Sequence, residues 1–250
     1  MSRIITNGGG GVTSCLSVRL HDAIKYRVET GQFPDEIDSS NQFSVYKDIS
    51  NQDVSKLVIG DYKPDNSLPI VPYNHGWQFG MYDEIQLNDL AKLANNVCPM
   101  SSLVGDKAYS FIQRLQHRTA VLYRGNDKCL DVPRTHYQAM IAMAEATGSR
   151  QFIVQTDEND FYNFFKSKFP DTIFFPEIPR INKDPDSYVM PKINKSGFCI
   201  NFLAALKAIS QADKLILNTG NTGIWTMFFR GNTREAWQVH GRNQQWRKLI

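Results

Sequence analysis

Between residues 120 and 217 short apolar runs alternate with segments of helical period, and that alternation leaves few folds open. Ala120-Val121-Leu122-Tyr123 reads as a strand. Thr135 to Ala146 then carries Met140, Ile141 and Ala144 on one helical face and stops at Gly148. Phe152-Ile153-Val154 is the next strand, followed by a helix whose Phe161, Phe164, Phe165 and Phe169 make a core-facing stripe. Thr172-Ile173-Phe174-Phe175 returns as a strand, a helix from Phe198 to about Ile209 buries Leu203, Leu206 and Ile209, and Leu215-Ile216-Leu217 is the last clear strand. This succession predicts a parallel, doubly wound sheet.

The first half opens the same way, with Ile4-Ile5-Thr6 as a strand, glycines 8–11 as a loop, and a helix from Ser14 to about Tyr26. Residues 32–107 mix short apolar runs (Ser44-Val45-Tyr46, Leu57-Val58-Ile59) with Asn, Asp, Pro and Gly, and define few elements. Ala108, Phe111, Ile112 and Leu115 form a helical face leading into the second half. The expected architecture is α/β with two Rossmann-like lobes. Residues 1–117 make the first, 118–235 the nucleotide-binding second, and 236–250 cross back to the first. Trp225, Phe228 and Phe229 sit at helical spacing and read as core. Residues 177–197, with three prolines and several lysines, read as an exposed loop.

Composition narrows the partners. The 28 basic and 25 acidic side chains leave a net charge of +3, too mild to make nucleic acid the default ligand. The basic stretch Arg242 to Lys248 with Trp246 therefore reads as a solvated terminal segment. With 42% hydrophobic residues, including 15 Phe and 10 Tyr, the chain can bury a sizeable core. Cys15, Cys98, Cys129 and Cys199 are far apart and the histidines form no cluster, which disfavours zinc or a disulfide framework. The N-terminus lacks the apolar core of a signal peptide, and no stretch approaches a membrane span, so the expectation is a soluble, cytoplasmic protein.

Parallel sheets bind ligands beyond the carboxyl ends of their strands. There Tyr123 is followed by Arg124-Gly125-Asn126-Asp127-Lys128, Val154 by Gln155-Thr156-Asp157-Glu158, and Leu217 by Asn218-Thr219-Gly220-Asn221-Thr222-Gly223. Arg124 and Lys128 can hold a diphosphate, a carboxylate can take ribose or base donors, and Thr219, Asn221 and Thr222 can bond phosphate at a helix start. Each cluster alone reads equally as local salt bridges in a turn. Three at corresponding strand ends favour a nucleotide site. The run Asn7-Gly8-Gly9-Gly10-Gly11 lets backbone N–H groups approach a phosphate, but lacks the lysine of a P-loop. Asp184-Pro185-Asp186 looks like a metal-carrying acidic pair, yet it follows no apolar strand and its proline restricts convergence, so no metal site is expected. His21, on the helix after the glycines, is a candidate base; His136 reads as surface.

Taken in order and spacing, Val121 to Lys128, Phe152 to Glu158 and Ser210 to Thr219 resemble the three donor-site motifs of the fucosyltransferase superfamily, which includes α1,6-, α1,2- and protein O-fucosyltransferases. The resemblance covers roughly residues 116–231 and, more weakly, the glycine loop. It implies a GT-B fold with the donor in the C-terminal lobe. It also implies metal-independent, inverting fucosyl transfer from GDP-fucose, used as substrate with no cofactor, to a glycan or protein hydroxyl. By position, Arg124 implies the β-phosphate contact, with Asp127 and Lys128 orienting it and adding charge. Asp131 falls near an acceptor base, ahead of His21 in preference, and Tyr137 near a nucleotide contact. Asp157 and Glu158, after Thr156, match the guanosine-binding element. Thr219, Asn221 and Thr222 match the pyrophosphate group, while Asn7 and Gly9, Gly10 and Gly11 resemble a loop that approaches the diphosphate. The pattern departs at Gly125, where the family has a second arginine, at the preceding histidine, replaced by Leu122 or Tyr123, and at Ala205, where it has an aspartate. Two other readings stand beside this one: a transferase using another nucleotide sugar, and a nucleotide-sugar-binding protein without catalysis.

Overall fold

In the computed structural model residues 1–8, 10–48, 50–125, 134–180, 194–240 and 245–250 are described. The second half forms one sheet from β3 (Thr119–Tyr123), β4 (Phe152–Thr156), β5 (Thr172–Ile173), β6 (Leu215–Asn218), β7 (Ala236–Val239) and β8 (Trp246–Lys248). Its spatial order is β5-β4-β3-β6-β7-β8. All neighbours are parallel except β7 and β8. From β3 the chain builds outward through β4 to β5, then returns to add β6 and β7 on the other side. The order therefore reverses between β3 and β6, and a switch point of this kind opens a crevice at the carboxyl ends.

Alternation along the strands separates two cores. Ala120, Leu122, Ile153, Leu215 and Leu217 face one cluster, while Val121, Tyr123, Phe152, Val154 and Ile216 face the other. The second is covered by α5 (Tyr137–Ala146) and α6 (Asn159–Lys168), whose Met140, Ala144, Phe161 and Phe165 are fully buried. On the first face lie α7 (Lys195–Ile209) and α8 (Asn221–Arg230). Trp225, Phe228 and Phe229 of α8 are buried there as expected.

The first half contributes a parallel strand pair, β1 (Arg3–Ile5) and β2 (Glu36–Asp38), joined through α1 (Val12–Thr30). Leu16, Leu20, Ala23 and Ile24 supply the buried stripe of α1, and Gly31 ends the helix at φ 81° with its N–H on the Arg27 carbonyl. Then come α2 (Val54–Val58), α3 (Leu87–Val97) and α4 (Ser102–Ile112). The runs at Ser44-Val45-Tyr46 and Leu57-Val58-Ile59 are a 3-10 turn and the end of α2. In the packing, α4 lies on α7 and α3 on α8, so residues of both halves share one continuous core. Residues 236–239 and 246–248 belong to the second-half sheet; from them Arg247 reaches back to Asp83 and, at 3.0 Å, to Glu84 of the first half.

Two contacts fix how α7 and α8 start. Asp48 of the first half accepts from the N–H of Lys195 (2.6 Å), the N–H of Ser196 (3.1 Å) and the Ser196 hydroxyl. These bonds hold the Asp48 carboxyl below its usual range, the hydroxyl foremost. A carboxyl depressed in the folded state stabilises above the ordinary aspartate value and ceases to as pH falls through the depressed one. Asp48→Ala is therefore expected to cost about 1 kcal/mol at pH 7. In urea titrations the gap should narrow as pH drops below about 4. At α8, a Cβ on Gly223 would lie 2.7 Å from the Asn218 carbonyl and 2.8 Å from the Tyr82 hydroxyl. Gly223→Ala is expected to lower unfolding free energy by about 1–3 kcal/mol, read in the same titrations.

Candidate functional site

Register brings the polar strand ends to one height. Tyr123 pairs with Thr156, and Leu122 with Leu217, so Arg124, Asp157 and Thr219 leave the sheet together. Asn218 then locks the switch point. Its side chain accepts from the Arg124 N–H (3.0 Å) and donates to the Arg124 carbonyl (2.8 Å). Arg124 Nε lies 3.1 Å from Asp157 Oδ2 as an ion pair, with about a fifth of each side chain exposed. The other Asp157 oxygen accepts the Gly125 N–H at 3.0 Å.

Glu158 is fully buried. Its Oε1 lies 3.0 Å from Arg134 Nη2, and its Oε2 accepts the Tyr137 hydroxyl at 2.6 Å. Burial, then Glu158 itself, pushes the Tyr137 phenol well up, so it remains a proton donor. The Thr156 hydroxyl accepts the Glu158 N–H. All four carboxylate oxygens expected to meet guanosine thus have protein partners. These partners compensate the charge inside the fold, since a buried carboxylate without partners is costly, and each oxygen has a second lone pair.

Opposite this cluster stand two helix starts. Asn221, 2% exposed, donates to Ser14 Oγ (2.8 Å) and accepts from Ser17 Oγ (2.9 Å), joining the first turn of α8 to the first turns of α1. The Ser17 hydroxyl also accepts from Trp225 Nε1 (2.8 Å) and from the Tyr73 hydroxyl (3.0 Å). Behind α8, the Tyr82 hydroxyl donates to the Gly220 carbonyl at 2.8 Å. Both α1 and α8 lack a side-chain cap and an acidic residue in the first turn. By contrast α2, α4 and α7 are capped by Asp53, Ser101 and Asn194, and α3 and α6 carry Asp89 and Asp160 in the first turn; α5 shares the lack of both. Uncapped N–H groups and the positive end of the helix dipole suit an anion.

The other expected residues sort as follows. Asn7 is exposed and accepts Asn41 Nδ2 at 3.0 Å. The Gly10 carbonyl accepts the Tyr46 hydroxyl, and Gly11 is the N-cap of α1. At Gly8, Gly10 and Gly11 an added Cβ would meet open space. The Thr219 hydroxyl accepts Gln238 Nε2 at 3.2 Å, whereas Thr222 lies in the first turn of α8. His21 is not brought to this edge. It is exposed on α1, its Nδ1 3.2 Å from the Tyr73 carbonyl, nine residues past the helix start. At 1.5 Å per residue that is roughly 14 Å along the axis. Gly9, Asp127, Lys128, Asp131 and the Asp184–Asp186 pair lie outside the described residues. Ala205 is buried in α7. Burial pushes the Cys15 and Cys98 thiols up to about 12, which removes them as nucleophiles near neutrality.

Sequence reasoning placed Asn218 in a polar run without a role, took Ser14 only as a neighbour of the glycine run, and missed Ser17, Tyr82 and Arg134. The i, i+3 serines flanking the first turns of α1 were the available signal for Ser17. Nothing local marks the others. The first half also holds a cavity of about 530 Å3 along β2 and α2, lined among others by Arg19, Asp38, Ser40, Lys56 and Tyr62. Among the described residues, no group of three or more His, Cys, Asp or Glu can hold a metal, and no helix is long and apolar enough to cross a membrane.

No protein-family model matches the chain, and no curated protein sequence is similar to it. Solved structures are. A fucosyltransferase NodZ from Bradyrhizobium superposes with a TM-score of 0.59 at 14% identity, covering 100% of this chain and 99% of that one. A NodZ alpha-1,6-fucosyltransferase co-crystallized with GDP gives 0.58 at 13% identity, over 99% and 98% of the two chains. The same enzyme soaked with GDP-fucose gives 0.59 at 13%, over 100% and 99%. Along its whole length, this chain has the fold of the NodZ fucosyltransferases.

Proposed function

We propose that the protein is a glycosyltransferase that moves fucose from GDP-fucose to a hydroxyl of a glycan or protein acceptor, with inversion and without a metal. One observation carries this reading: two uncapped helix starts, on α1 and α8, are pinned together by Asn221 next to a switch point that holds Arg124. The fold likeness to enzymes seen with GDP and GDP-fucose adds support.

Breaking the bond between an anomeric carbon and a nucleoside diphosphate gathers negative charge on the β-phosphate while the sugar gains oxocarbenium character. Arg124, its backbone clamped by Asn218 and its guanidinium steadied by Asp157, meets that charge without rearranging. The backbone N–H groups at the starts of α1 and α8 face the same anion from the other side, and the glycine loop allows close approach. Asp157 acts by holding Arg124 and the Gly125 N–H in place. Asp127 and Lys128 are assigned, from the resemblance alone, to orienting Arg124 and adding charge. The acceptor's proton is assigned on the same ground to Asp131.

Arg124→Ala is expected to lower turnover with GDP-fucose about 100- to 1,000-fold. Unchanged turnover in that variant would remove the mechanism. A thermal-shift panel separates the donors. GDP or GDP-fucose at one hundred times its Kd should add about 2.7 kcal/mol of stability, and UDP- and CDP-sugars at the same concentration should add almost none. Donor binding with neither hydrolysis nor transfer would instead favour a nucleotide-sugar-binding protein.

A further inference from the structure

Arg134 belongs to none of the motifs above, yet the fold delivers it to the residue next to Arg124. Its Nη2 lies 3.3 Å from the Gly125 carbonyl oxygen and 3.0 Å from Glu158 Oε1. The Gly125 N–H is held by Asp157, which also pairs with Arg124. One glycine thus has a guanidinium on either flank, each backed by its own carboxylate from the end of β4. We propose that Arg134 is a second donor-binding residue, contacting the diphosphate beside Arg124, with Glu158 and Tyr137 as the groups that position it.

Sterics explain why the second guanidinium comes from residue 134. A Cβ at Gly125 would lie 2.4 Å from Glu158 Oε1 and 2.7 Å from Tyr123 Cε1. Tyr123 is buried, with its hydroxyl on the Thr135 carbonyl and its ring stacked 4.0 Å from Phe161, so it cannot yield. No side chain fits at 125 while Glu158 occupies its place. Glu158 in turn cannot stay buried as an anion without compensation, and Arg134 and Tyr137 supply it.

Exposure then separates the members of the cluster. Glu158 has no accessible surface, whereas Arg134 keeps 27% of its side chain accessible. A guanidinium recognises carboxylate and phosphate alike through its planar fork, so Arg134, the exposed member of the pair, is the one a phosphate oxygen can reach. Were Arg134 present only to neutralise Glu158, an apolar pair of similar volume would serve the fold as well.

This proposal rests on the donor-site reading, and calorimetric Kd values for GDP, GMP and guanosine keep the two apart. Arg134→Ala is expected to weaken GDP about tenfold or more while leaving guanosine unchanged. Arg134→Lys, which retains the ion pair and folds where the alanine variant does not, should recover only part of the GDP affinity. With GDP-fucose, KM should rise in both variants. A parent protein that binds GDP, paired with Arg134 variants that bind it equally well at reduced thermal stability, overturns the proposal and leaves the donor site standing. A parent that binds no GDP overturns the donor-site reading and this proposal with it.

Discussion

The corner between β6 and α8 is the constraint on which the polar carboxyl edge of the sheet depends. Asn218 closes two hydrogen bonds on the Arg124 backbone, Gly220 turns the chain, Asn221 grips Ser14 and Ser17, and Gly223 leaves room for Tyr82. Within six residues the corner sets the height of Arg124, the start of α8 and the docking of α1. The Asn218 and Asn221 contacts are polar and wholly or partly buried, so losing a partner costs about 1–3 kcal/mol for the group left behind. A corner under that penalty has one low-energy arrangement.

Charge on this edge is organised as pairs. Among the described residues, Arg124 with Asp157, and Arg134 with Glu158, leave little net charge at the ends of β3 and β4. On the reading proposed above, attraction for an anion would come from directed groups rather than from an electropositive patch, in keeping with a chain whose overall charge is only +3. Oriented N–H groups need no rearrangement as charge grows on a leaving phosphate. A field from mobile lysines would be screened within about 8 Å at physiological salt. The pairing also explains why Tyr137 sits at Glu158 and not on an open face: its hydroxyl supplies the second donor that a buried carboxylate needs.

The parallel sheet was legible because β3, β4 and β6 are buried on both faces and read as unbroken apolar runs. The strand Ala236–Val239 was not, since its Gln238 breaks the pattern; that side chain is buried because Tyr82 N–H, the Gly80 carbonyl and Thr219 satisfy it. In residues 32–107 the helix α3 does carry a stripe, with Leu87, Leu90, Ala91, Ala94 and Val97 buried. Its neighbours, rich in Asn, Asp and Pro, obscured it, and its packing partner α8 lies more than a hundred residues away. Convergence of the three polar strand ends followed from the rule for parallel sheets. What their side chains do there did not follow, because Asp157 and Glu158 are turned inward by Arg124, Gly125, Arg134 and Tyr137, and only distances reveal that.

The Ser17 hydroxyl shows how the two halves meet. It accepts from Trp225 and Tyr73 and donates to Asn221, which uses both lone pairs and its single proton. Parting the halves would break its bonds to Trp225 and Asn221, Tyr73 staying with it in the first half, and expose the apolar core that Leu16 and Leu20 share with Ile224 and Trp225. At about 25 cal/mol per Å2 of apolar surface, that separation is far costlier than moving a loop. On the reading proposed above, a donor would therefore enter along the carboxyl edge and not by a hinge between halves. The piece with room to adjust around it is the glycine turn, where Gly8, Gly10 and Gly11 have no neighbour at the Cβ position. Rigidity at Ser17 and space at the glycines go together: helix starts held fixed, as the proposed phosphate contact requires, with uncrowded backbone at Gly8, Gly10 and Gly11 beside them.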